Sequence, residues 1–140
     1  VDALLAAKVA WCARERISVE VEATVPDDLP TPDVELCALF ANALDNAVHA
    51  CREVPQGARW MHVRAHPAHG HFLLEVENSC AAGGVATRSG KARRRARDGG
   101  LPRHGHGLAI MREIVKRHDG ELVCQRDGET FRLSAIGGWM

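Results

Sequence analysis

Asn42 and Asn46 stand four residues apart inside an otherwise apolar helical pattern that runs from Leu39 to Ala50. That spacing puts both carboxamides on one face of one helix. Asparagine is a poor mid-helix residue because its side chain competes with the backbone for hydrogen bonds, so two of them in one helix call for a polar ligand. A second chemical segment lies far downstream. There Gly105 and Gly107 open a new amphipathic stretch that continues through Leu108, Ile110 and Met111. Glycines at a helix start let backbone N–H groups approach a phosphate, and the unpaired donors and helix dipole favour an anion.

The elements that must hold these segments can be read from periodicity. Leu4, Leu5, Val9 and Cys12 recur at helical spacing over residues 2 to 15, and residues 17 to 25 alternate apolar and polar as a half-buried strand does. A Pro- and Asp-rich connector follows, with Thr31 as the expected N-cap and Pro32 as the first residue of a long helix over about 32 to 52. Its apolar stripe is Leu36, Leu39, Phe40, Ala43, Leu44, Ala47 and Val48, which leaves Asn42, Asp45, Asn46 and His49 towards the opposite edge. The stripe packs on a sheet and the asparagines face a cavity. Strands at about 59 to 66 and 72 to 78 flank a turn at residues 67 to 71. From 79 to about 104 periodicity disappears in favour of Gly, Ala and Arg, and the stretch reads as a lid too long for an ordinary connection. A helix over 106 to 118 and two strands, 122 to 126 and 131 to 136, joined at Asp127 and Gly128, complete the chain.

Composition limits the alternatives. The 140 residues suffice for one domain with its own core, and 18 basic against 18 acidic side chains argue against a dedicated nucleic-acid or membrane-surface module. The five cysteines, Cys12, Cys37, Cys51, Cys80 and Cys124, are scattered in apolar segments and read as buried reduced thiols of a cytosolic protein. No apolar run is long enough to span a bilayer, so no direct membrane contact is expected of this segment. Because residue 1 falls inside a helical pattern, the chain is expected to be a piece of a longer protein. His66, His69 and His71, or His104 and His106, match no common zinc spacing and read as turn histidines. The basic run at 91 to 97 has no interleaved aromatics for stacking on nucleic acid and reads as solvated.

The two chemical segments, in this order, resemble the N-box and second glycine box of the ATPase superfamily that unites DNA gyrase, Hsp90, histidine kinases and MutL. Residues 42 to 47 are similar to the Asn-x-x-x-Asn-Ala box of sensor histidine kinases, and residues 105 to 121 to their Gly-x-Gly-Leu-Ala-Ile helix and following strand. The resemblance covers nearly the whole chain. It implies an α+β fold of Bergerat type, a two-layer α/β sandwich with a mixed sheet of about five strands and helices on one face. It also implies a single ATP-binding catalytic domain over 1 to 140 that works with ATP and Mg²⁺. The activity implied is a protein-histidine kinase of a two-component system, which passes the γ-phosphoryl to a histidine on a dimerisation domain outside these residues. No acceptor histidine stands on the helix at 2 to 15, so the segment alone is not expected to autophosphorylate. Implied partners are that phosphoacceptor domain, a second copy in a homodimer, and a downstream response regulator. The implied setting is the cytoplasmic side of a membrane-anchored sensor.

Within the resemblance, Asn46 offers Mg²⁺ a neutral hard oxygen, with Asp45 in a supporting position behind it. Asn42 lies beside the triphosphate. In hydrolytic relatives the first position is a glutamate, and asparagine cannot take a proton from water, which favours transfer over hydrolysis. Gly105, His106, Gly107 and Leu108 cradle phosphates. One of Lys91, Arg93, Arg94, Arg95 and Arg97 supplies lid charge, and Lys91 joins the binding set on that basis. Asn78 stands where most histidine kinases have the aspartate that reads the adenine amino group, as in the peptide-pheromone quorum-sensor branch, and a flip of its amide predicts weak discrimination against guanine. Cys80 and His49 depart from the family pattern, as does the lack of a lid Phe. They leave open a nucleotide-sensing interaction module without phosphoryl transfer; a hydrolase of the same fold is a further reading, which Asn42 disfavours.

Overall fold

The computed structural model describes residues 1–26, 29, 31–81 and 102–137, with side chains from 107 onwards in the last of these stretches. In chain order the elements are α1 (Asp2–Arg14), β1 (Ser18–Ala23), α2 (Asp33–Arg52), a 3₁₀ turn (Gln56–Ala58), β2 (Trp60–Ala68), β3 (His71–Ser79), α3 (Pro102–Arg117), β4 (Glu121–Asp127) and β5 (Thr130–Gly137). The strands form one mixed sheet of five in the order β1-β2-β3-β5-β4. β1 runs parallel to β2, with α2 in the crossover between them, and the other pairs are antiparallel. This is the α+β sandwich expected, with the helices on one face.

Burial follows the pleat. Met61, Val63 and Ala65 on β2, Phe72, Leu74 and Val76 on β3, and Leu133 and Ala135 on β5 are buried beneath the helices. The whole predicted stripe of α2, from Leu36 to Val48, is buried with them. From α3 come Leu108, Met111, Ile114 and Val115. α2 is the central helix, in contact with α1, α3 and β3. Phe40 and Phe72, each 0% exposed, are the aromatics at the centre of a largely aliphatic core among the described residues. The outer face carries cross-strand ion pairs instead: Arg132 and Arg64 both bridge Glu75 and Glu77.

The turns explain how short connections reverse the chain. His69 and Gly70 both have positive φ, the type I′ geometry that suits the twist of a two-residue hairpin. Between β4 and β5 the loop is Gly128–Glu129, with positive φ at Gly128. α1 and α3 end alike. Ile17 N–H bonds Cys12 O while Arg16 takes a left-handed φ, and Gly120 N–H bonds Val115 O while Asp119 does, the paired-bond cap that satisfies terminal carbonyls.

The structure departs from the sequence reading in several places. Residue 17 is buried, but β1 itself is an edge strand, exposed along most of its length, so the alternation marks core contacts only at Ile17, Val19 and Val25. Thr31 does not cap α2. The N-cap is Pro32, whose carbonyl accepts from Glu35 and Leu36 N–H, and Thr31 is turned inward with a buried Oγ1 that has no partner among the described residues. Helix α3 begins at Pro102, four positions before the expected start. Ser79 belongs to β3 and Pro102 to His104 to α3, so the expected lid loses both its ends to regular structure; its residues 82–101 lie outside the described residues.

Candidate functional site

The buried polar side chains among the described residues are Thr31, Asn46, Asn78 and Ser79. Burying a polar group without a partner costs on the order of 1–3 kcal/mol, so each must be met by the protein or by something it binds.

α2 presents the first part of the site. Asn46 is 7% exposed, nearer the core than the polar edge on which periodicity put it, and no described residue hydrogen-bonds its carboxamide. One turn earlier, Asn42 is half-buried, and its Nδ2 donates to Ala38 O at 2.7 Å. That bond answers the backbone competition that disfavours asparagine in a helix and fixes the carboxamide, leaving Oδ1 as an acceptor. The two asparagines therefore do not satisfy each other. Asp45 is engaged elsewhere, which corrects its expected supporting role: its Oδ1 accepts from Lys8 Nζ at 2.6 Å, tying α1 to α2.

α3 brings the second segment against the first. A Cβ on residue 107 would lie 3.0 Å from Asn42 Oδ1. Only glycine lets α3 come this close without displacing the amide. The glycines do not precede the helix, however. With α3 starting at Pro102, Gly105 and Gly107 lie within its opening turns, so the terminal unpaired donors belong to residues before Gly107, and the expected glycine-opened terminus is corrected to a glycine-bearing first part of a longer helix. Leu108 packs in the core, so its side chain is structural, and its N–H lies within the helical ladder rather than among the unpaired donors. The His106 side chain and Lys91, with Arg93, Arg94, Arg95 and Arg97, lie outside the described residues.

The third part is at the end of β3. Asn78 is 0% exposed; its Nδ2 donates to Ser79 O at 2.9 Å, while its buried Oδ1 has no partner among the described residues. An acceptor so placed fits a ligand that brings an N–H donor. Around it is a cluster that sequence reasoning missed. Trp60 N–H donates to Ser79 Oγ at 3.0 Å, and Cys51 Sγ lies 3.5 Å from Trp60 O and 3.7 Å from both Ser79 O and Ser79 Oγ. Cys51 extends the buried stripe of α2 by one turn, a signal the sequence did carry; the Ser79–Trp60 contact depends on strand pairing and carried none. Burial pushes the Cys51 and Cys80 thiols above their ordinary range, so both are protonated near neutrality. Cys80 is buried, its N–H on Glu129 O at 2.8 Å, and Arg126 donates to Ala81 O at 2.7 Å. β3 thus leaves the sheet on fixed contacts. A separate open groove of about 610 Å³ across β3, β5 and β4, bordered by Glu77, Arg126, Asp127 and Arg132, holds none of Asn42, Asn46, Asn78 or Gly107.

A family model described as GHKL domain matches residues 33–136. Among solved structures, the catalytic domain of histidine kinase ThkA in a nucleotide-free form is similar at a TM-score of 0.72 and 14% identity, over 99% of this chain and 90% of that one. The Acinetobacter baumannii histidine kinase AdeS is similar at 0.69 and 13% identity, over 99% of this chain and 62% of that one. The histidine kinase domain of the Erythrobacter litoralis EL346 blue-light activated histidine kinase follows at 0.68 and 19% identity, over 97% and 59%. The chain therefore spans less than two thirds of the latter two. No curated protein matches the sequence. The peptide-pheromone branch suggested by Asn78 finds no support in these similarities.

Proposed function

The chain belongs to the GHKL domain family, and from that premise we propose that it is the ATP-binding catalytic domain of a sensor histidine kinase. The observation that carries this reading is the approach of Gly107 to Asn42 Oδ1 at 3.0 Å, measured to the position of an added Cβ. It joins two segments distant in sequence at one point, with Asn46 one turn further along the same helix.

The residues fit Mg²⁺·ATP. Asn46 has a buried amide oxygen for the metal, and Asn78 Oδ1, without a partner among the described residues, is an acceptor for a base amino group. When bound, the metal neutralises phosphate charge and aligns the γ-phosphoryl for in-line attack. This chain's own groups then bind and orient. Asn42, held by Ala38 O, presents a fixed oxygen beside α3 and has no basic atom with which to deprotonate water. Such a site favours transfer to an external nucleophile. In the proposed kinase that nucleophile is a histidine of a dimerisation domain beyond these residues. The whole protein is proposed as a homodimer that hands phosphate to a response regulator, with this domain on the cytoplasmic side of a membrane-anchored sensor.

Calorimetric titration with a non-hydrolysable ATP analogue, with and without Mg²⁺ and with Asn46→Ala, tests the proposal. Micromolar to submillimolar binding that needs both the metal and Asn46 is the expected result. Absence of binding favours the alternative that Cys80 raises by standing buried where the family has glycine: an interaction module on a kinase scaffold.

A further inference from the structure

The two edges of the sheet differ in kind. Among the described residues the edge strands are β1 and β4, and each offers the N–H and C=O groups of its outward side to a strand that can lie beside it. One such strand is its own counterpart in a second copy, related by a two-fold axis normal to the sheet. Opposed residues must then share a face, so each allowed antiparallel register is centred on one residue.

β1 opposes this pairing. Glu20, Val21 and Glu22 are exposed in a row, and a register centred on any of the three sets glutamate against glutamate, which is destabilising. β4 has a register without conflict. Centred on Val123, it opposes Val123 to itself, Leu122 to Cys124 and Glu121 to Gln125. Centring on Cys124 instead sets Glu121 against Asp127 and Leu122 against Arg126, and centring on Gln125 sets Val123 against Asp127. The surface around Val123 agrees with the first. On the outer face Leu73 stands opposite Ile136, and Val123 is their diagonal neighbour on β4, with Val123 36% and Ile136 38% exposed. This apolar patch runs to the edge of the sheet and stops there. A two-fold axis at Val123 joins it to its own copy. On the inner face Leu122 and Cys124, partly buried against the core, meet across the same axis.

We propose that β4 is a self-pairing edge, through which two copies of this chain associate antiparallel with Val123 on the axis, joining their two sheets into one. The contact holds none of Asn42, Asn46, Asn78 and Gly107, so it stands independently of the nucleotide reading. It is also separate from the dimerisation domain proposed beyond these residues. One strand pair is small beside a stable interface, so the association is weak. Because β1 repels its own copy, assembly stops at two chains.

Sedimentation velocity of the 140-residue chain over a concentration series, without nucleotide, tests the proposal, with melting curves to confirm that each variant folds. The unaltered chain should pass from monomer to dimer as concentration rises. Val123→Lys, which sets two ammonium groups against each other on the axis, should abolish the dimer, and Val21→Lys on the other edge should leave it unchanged. Gln125→Glu faces Glu121 of the copy at both ends of the pairing and should weaken the dimer severalfold, whereas Gln125→Lys should tighten it by a similar factor. A chain that stays monomeric at every concentration overturns the proposal. So does a dimer that survives Val123→Lys in a protein that melts normally, a dimer lost in Val21→Lys, or growth beyond two chains. The two Gln125 variants shifting the dimer in the same direction overturns the register centred on Val123.

Discussion

Gly107→Ala should weaken this protein although it places the best helix former inside a helix. In an unobstructed helix interior the exchange stabilises by about 1 kcal/mol. Here the new methyl arrives 3.0 Å from Asn42 Oδ1, closer than a carbon and an oxygen settle. Asn42 cannot simply turn away, because Nδ2 is bonded to Ala38 O at 2.7 Å. Yielding costs an off-rotamer side chain, about 0.5–1.5 kcal/mol, or the hydrogen bond, a similar amount. The gain is cancelled or slightly exceeded. In an Asn42→Ala background the obstruction is absent, so the same exchange should return its full benefit. The four proteins of this cycle, unfolded in urea without nucleotide, should show a coupling of about 1–2 kcal/mol, well above the ~0.5 kcal/mol scatter of independent sites. Additivity within that scatter would refute the inference that α2 and α3 meet through this pair.

Other consequences are as direct. Gly120 abuts the sheet, where a Cβ would lie 2.3 Å from Ile136 O and 2.9 Å from Val115 Cγ1, so Gly120→Ala should cost about 2–3 kcal/mol in urea unfolding. Glu35 bonds His118 and Arg117, the His118 contact first in effect, and its carboxyl is held below the usual range. A depressed folded pKa gives stability that is present above the unfolded value and lost as pH falls through the folded one, so the unfolding midpoint should drop below about pH 4.3, and less steeply in Glu35→Gln. Cys12, with its thiol pushed up to about 11 by burial, Cys51 and Cys80 should resist a thiol reagent in the native protein at pH 8 and react on unfolding; rapid native labelling of all three would contradict their burial.

What the sequence disclosed was whatever depends on local periodicity. The stripe from Leu36 to Val48 is a 3.6-residue pattern on one helix, and the turn at Gly70 is a residue type that a positive φ requires, so both were legible without a partner. The five-stranded layout followed once the family resemblance had fixed the topology. What depends on a distant neighbour was hidden. Thr31 has the chemistry of an N-cap, yet the chain turns it inward and leaves the cap to Pro32. Asp45 has the chemistry of a metal's neighbour, yet Lys8 of α1 takes it. Asn78 was legible as a residue, and only its bond to Ser79 O decides which end of its amide is open.

The start of α3 shows the same competition inside one element. Glycine twice in three residues weakens helix at 105 to 107, by about 1 kcal/mol each relative to alanine, and from the sequence the pair reads as the opening of a helix at 106. The structure continues it back to Pro102, a residue suited to a first helical position because its missing N–H would be unpaired there anyway. The downstream turns are bound to the core through Met111, Ile114 and Val115. With two glycines in the opening turns and the apolar anchors behind them, these turns gain helix mostly by extension of a ladder fixed elsewhere. Their local opening free energy should lie about 2 kcal/mol below that of the anchored turns, so amide hydrogens at Gly107 and Leu108 should exchange at least about tenfold faster than those at Ile114 and Val115. Hydrogen exchange resolved by residue measures this directly. Gly105→Ala, which removes one of the two penalties, should slow exchange at Gly107 and Leu108 by roughly fivefold and leave Ile114 unchanged. Equal protection along the whole of α3 would mean that the glycines cost nothing where they stand, and that packing against Asn42, rather than helix propensity, governs the stability of this end.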